Sequence, residues 1–162
     1  MATRGSLWSL KLYFSLWRKL IFLSLYFIWF FFNTLSADSN IPLKEYLKDK
    51  GIEKGASQIY LLNRCSAIYT FASAIVLKTD PVNSKKFIEI ANNLLFKSVE
   101  LRIIDGKEKS EDAKKKAEKE RKKLFNNYTL DGKKNWNKNK SYFKESYIST
   151  DMVICSKLIE EK

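Results

Sequence analysis

The chain contains no histidine. That removes the commonest general base near neutral pH, the imidazole ligands of zinc sites, and every Ser-His or Cys-His nucleophile pairing. Glycine and proline are also scarce, five and two in 162 residues. So few turn-forming residues argue against a turn-rich all-β fold and for long uninterrupted helices. Only two cysteines are present, Cys65 and Cys155. They are too few for a structural zinc shell and lack the C-x-x-C spacing of a redox pair. No Gly-rich phosphate loop or nucleotide fingerprint occurs, so no cofactor, metal ligand or catalytic residue is expected.

Acidic residues are missing from one region altogether. The first 37 residues carry Arg4, Lys11, Arg18 and Lys19 and no carboxylate. Directly after Lys19, Leu20 to Phe32 is apolar apart from Ser24, and small residues follow. A basic flank, an apolar stretch and small residues form the layout of a secretory signal, here with cleavage near Ser36 or Ala37. Residues 20–35 also reach the lower edge of what spans a bilayer, so an uncleaved inner-membrane anchor is the alternative. Either reading makes 1–37 a signal or anchor and places 38–162 outside the cytoplasm, in the periplasm or secreted.

The exported part carries 26 Lys/Arg against 18 Asp/Glu, a net of +8, because four of the chain's 30 basic residues precede it. Its apolar residues recur at helical spacing. Pro42 opens a short helix with Leu43, Tyr46 and Leu47 on one face, ended by Gly51. Ala56 to Lys78 repeats Leu61, Cys65, Ile68, Ala72, Ile75 and Val76 and reads as the central core helix; its uncharged stretch is too short to span a membrane. Asp80 caps a third helix that begins with Pro81 and runs to about Asp105, with Gly106 as its C-terminal cap.

Ser110 is the expected N-cap of a Lys-rich helix at about 110–130. Glu111/Lys115, Asp112/Lys116 and Glu118/Lys122 stand four apart on it. Its apolar stripe is thin, so it is expected to be mostly solvated and to dock by its last turns. Asn126-Asn127 and then Asp131-Gly132 would end it, leaving "KKNWNKNKS" as a polar loop that Trp136 could pin to the core. A last helix places Ile148, Met152, Cys155 and Leu158 or Ile159 together. The expectation is all-α: a small antiparallel bundle of four to five helices.

Two cysteines on apolar helix faces of an exported chain most simply form one disulfide, Cys65–Cys155; free buried thiols are the other reading. Arg64 and Asp151 flank them. If the bridge forms, these two would meet in a partly buried ion pair; otherwise each faces solvent. Lys133, Lys134, Lys138 and Lys140 around Trp136 combine positive charge with one aromatic, which suits an anionic surface, although Asn and Lys drift in an AT-rich genome produces the same composition. The segments "NRCSAIY" and "STDMVICSKL", set behind a signal, resemble small exported helical proteins of marine alphaproteobacteria and their phages. The resemblance implies a compact helical bundle with its ends tied and carries over no catalytic residue.

Function follows as an expectation: a non-enzymatic exported protein that binds an envelope protein or an anionic envelope surface, or its membrane-anchored equivalent. Nucleic acid conflicts with export. A small hydrolase is less favoured. Glu45, Asp49, Glu53, Glu89 and Glu100 are available as acids, but paired carboxylates need a cleft that a small bundle seldom supplies.

Overall fold

The computed structural model describes residues 41–53 and 55–160. The signal or anchor expected at 1–37 lies outside the described residues. Between 41 and 160 the paucity of Gly and Pro has its predicted result: five helices and, among the described residues, no strand. They are α1 (Leu43–Lys50), α2 (Gly55–Val76), α3 (Pro81–Ile104), α4 (Ser110–Asn139) and α5 (Tyr147–Glu160).

α2 is the axis of the bundle. From Asn63 to Ser73 only Thr70 escapes full burial, as expected of a helix wrapped by neighbours rather than resting on one. By length and composition it is apolar enough to cross a membrane, yet it packs against the four other helices. Asp80 accepts the Asn83 N–H at 3.0 Å with Pro81 at the first position of α3, so the chain reverses where the Asp-Pro pair predicts. Small residues then let α2 and α3 approach closely. Ser66 Oγ donates to Ala91 O at 2.7 Å, and Ser73 Oγ donates to Ser84 O at 2.9 Å. Ser73 meets the start of α3 and Ser66 meets its middle, which makes the pair antiparallel.

Gly51 ends α1 at φ 70°, its N–H donating to Leu47 O at 2.9 Å. Gly106 differs from the expected cap. The left-handed residue after α3 is Lys107, at φ 51°. Glycine at 106 answers a steric need instead, because a Cβ there would stand 2.6 Å from Arg102 O.

The largest departure concerns α4. The Lys-rich helix does not stop at Asn126-Asn127 or near residue 130, and although most of its residues are exposed, as expected, it docks along its whole length rather than by its last turns. It continues for 30 residues to Asn139 and is buried along its length at Ala113, Ala117, Leu124, Tyr128 and Gly132. Gly132 does not break it because the missing side chain is what lets Phe71 of α2 fit; a Cβ would lie 2.5 Å from Phe71 Cζ. Tertiary packing thus overrides the local preference. The segment read as a polar loop forms the last turns of α4, closed by Lys140 at φ 54° with its N–H on Trp136 O. Asn135 Nδ2 ties the following loop by donating to Ser141 O and Lys144 O, each at 2.8 Å.

Ser110 is the first helical residue rather than the cap, which is Lys109 without a side-chain bond. Lys116 pairs with Glu108 at 3.2 Å rather than with Asp112.

Candidate functional site

Three polar regions are candidates. The first surrounds Arg64, whose side chain and that of Asp151 are both fully buried and 2.5 Å apart. Arg64 Nε donates to Tyr128 Oη and, at 3.1 Å, to Asp151 Oδ2; Nη1 donates to Tyr60 Oη at 2.9 Å. Tyr128 Oη passes its own proton toward Asp151 Oδ2 at 2.7 Å. The other carboxylate oxygen, Oδ1, accepts the Leu43 N–H at 2.8 Å. Asp151 therefore supplies, from α5, the N-terminal cap that Pro42 cannot give α1. The guanidinium also lies 5.1 Å from the ring centre of Tyr128 and 5.7 Å from that of Tyr147.

Next to this cluster Cys65 and Cys155 are joined, fully buried, with Cα atoms 5.3 Å apart. Side chains one residue and one helical turn from the bridge thus meet beside it. Burial alone would lower the Arg64 pKa, but Tyr128, Asp151 and Tyr60 outweigh it and hold the group above its ordinary value. Burial raises Tyr128 well above the usual phenol range. Near neutral pH the arginine is charged and the phenol protonated. With Arg64, Tyr128 and Asp151 all sealed from solvent, the arrangement locks α1, α2, α4 and α5 together.

The second region is a cleft of about 640 Å³ lined by Tyr60, Arg102, Asp105, Glu108 and Glu120. Glu120 Oε2 accepts from Asn63 Nδ2 and from Arg102 Nη2, both at 2.5 Å. Arg102 also faces Glu108 at 3.7 Å. Its Nε and the Glu108 Oε2 are buried without hydrogen-bond partners. None of Glu45, Asp49, Glu53, Glu89 or Glu100 lines this cleft. Sequence reasoning missed Arg102 and Glu120 as a pair, although arginine's scarcity beside lysine was a usable signal.

The third region is the outer side of α4. Lys115, Lys119, Lys122 and Lys133 follow one another at helical spacing, flanked by Lys123 and Lys134, and all are exposed. Residues 121–140 contain seven basic side chains and one acid, Asp131. That acid is already engaged, by Lys134 Nζ at 3.2 Å and Tyr147 Oη at 2.8 Å. Lys133, Lys134, Lys138 and Lys140 are exposed on and just beyond the last two turns. Trp136 remains 42% exposed, one ring face stacked on Tyr142 at 4.8 Å.

The chain is similar to no known protein that would choose among these regions: no family model, no curated protein and no solved structure matches it.

Proposed function

We propose that this protein is exported and acts without enzymatic chemistry, by binding an envelope protein or an anionic envelope surface through the outer side of α4. The observation that carries the reading is the charge segregation along that helix. Residues 110–120 hold four basic and four acidic side chains, whereas 121–140 hold seven basic residues against one internally paired acid. Such a surface attracts polyanions and steers them to itself. Export is supported by the Cys65–Cys155 bridge, which persists in oxidising compartments, and by the basic and then apolar order of the first 37 residues.

Cell fractionation with mass measurement of the chain tests this. The expected result is an N-terminus near residue 37 in the periplasmic or secreted fraction, with Cys65 and Cys155 oxidised, and retention of the protein on washed envelopes. Recovery from the cytoplasm with both thiols reduced would overturn it. A second reading, an inner-membrane-anchored component of an envelope complex, is favoured by the 16-residue stretch Leu20 to Leu35, apolar as far as Phe32 apart from Ser24. It predicts the intact chain in the membrane fraction.

A further inference from the structure

Resting on the binding role proposed above, we infer that the partner of the outer α4 side is the surface of an anionic phospholipid bilayer, met lengthwise by the helix. The continuity of α4 is what makes this possible. A Lys-rich segment followed by a loop would offer two unrelated patches. A 30-residue helix offers one straight edge of about 45 Å.

Along that edge the solvent-facing positions are Lys115, Lys119, Lys122, Asn126, Lys133 and Asn137, with the exposed Glu111 and Glu118 beside the first of them. Their spacing of three, four or seven residues keeps them in one line. Lys123 and Lys134 widen the line on one side. Beyond Glu120 no unpaired acid interrupts it. A row of point charges in a line suits a plane of repeated phosphate groups, since each lysine meets a headgroup without any single one being recognised.

Two apolar side chains on the same helix favour a bilayer over a soluble polyanion. Leu130 is 45% exposed amid the lysines, and Trp136 is 42% exposed beside them. Trp136 stacks on Tyr142 and keeps its exposed part at the helix surface, the level at which tryptophan sits on a bilayer, between headgroups and acyl chains. Lysine stems lie along apolar surface while their ammonium groups reach outward. A free polyanion would have no use for the leucine.

Trp136 also supplies the measurement. The full chain carrying Trp8→Phe, Trp17→Phe and Trp29→Phe keeps Trp136 as its only indole, whether or not the first segment is removed. Its quenching by acrylamide is compared on phosphatidylcholine vesicles and on vesicles containing about one third phosphatidylglycerol. Insertion of residues 20–35 would occur on both. Docking of α4 predicts shielding of Trp136 only on the anionic vesicles, lost in high salt.

Lys122→Glu, Lys133→Glu and Lys134→Glu together should abolish the shielding, each reversal weakening binding by about fivefold or more. The same three positions changed to Gln give a milder loss without added acids, and this variant should melt with the wild-type transition. Equal shielding on both lipids, or shielding unaltered by the substitutions, overturns the inference, as does shielding by RNA but not by phosphatidylglycerol. If the bilayer fails but washed envelopes still retain the chain, the binding role stands with an envelope protein as partner. If neither retains it, both readings fall.

Discussion

Arg64 and Asp151 set the energetic stakes at the scale of single residues. A buried ion pair is a weak source of net stability, but removing one partner strands the other charge in a low-dielectric interior. Asp151→Asn should therefore cost about 3–5 kcal/mol, lowering the melting temperature by roughly 10 °C or more in a thermal denaturation followed by circular dichroism. Replacing both, Arg64→Met with Asp151→Leu, should recover much of that loss because no charge is left unpaired. A recovery of nothing would mean that the Leu43 cap, not the charge, dominates. The neighbouring bridge closes a separation of 90 residues, for which loop entropy gives up to about 4.6 kcal/mol. Cys65→Ala with Cys155→Ala should lower the urea midpoint correspondingly, and reduction of the wild type should give the same shift.

At the scale of elements, α4 shows where local reading stops. Pro81 with Asp80 and the scarcity of glycine predict helix starts and class correctly, since those effects act within a few residues. Asp131-Gly132 has the composition of a stop signal, and the contact that reverses its meaning, Gly132 against Phe71, spans 61 positions of sequence. Gly132→Ala tests that account with a sign opposite to intrinsic propensity. Alanine is the better helix former by about 1 kcal/mol. Phe71 cannot yield, being packed among Tyr128, Tyr142 and Phe143, so the substitution should destabilise by about 1–3 kcal/mol. Phe71→Leu in the same chain should relieve part of it. For the candidate regions the same limit applies. The lysines at the end of α4 are legible as composition, but their alignment with Lys115, Lys119 and Lys122 appears only once the helix is known to be unbroken. Beside Arg64, which the sequence already sets against Asp151, Arg102 and Arg121 were the overlooked clue. Arg64, Arg102 and Arg121, the arginines beyond residue 37, each contact a neighbouring helix, as suits a planar fork that lysine does not replace.

For the whole molecule the pH response follows from its tyrosines. Burial raises Tyr60, Tyr69 and Tyr128 above the ordinary phenol value, Tyr128 the most. Above about pH 10 the unfolded chain has released these protons while the folded one still holds them. The folded state then binds more protons, so stability falls as pH rises, being fully present below about pH 10. Alkaline titration should show phenolate absorbance for these residues appearing together with loss of helix. Phenolate formation well before any change in ellipticity would refute the assignment.

The start of α1 carries a mechanical consequence. Leu43 is the first helical residue, and its N–H is held by Asp151, which grips Arg64 beside the covalent bridge. Tension applied to the chain ahead of Pro42 does not peel a loose end from the bundle. It arrives at the cross-linked centre, where α1, α2, α4 and α5 converge, so a domain tethered or towed from that end would resist as a unit.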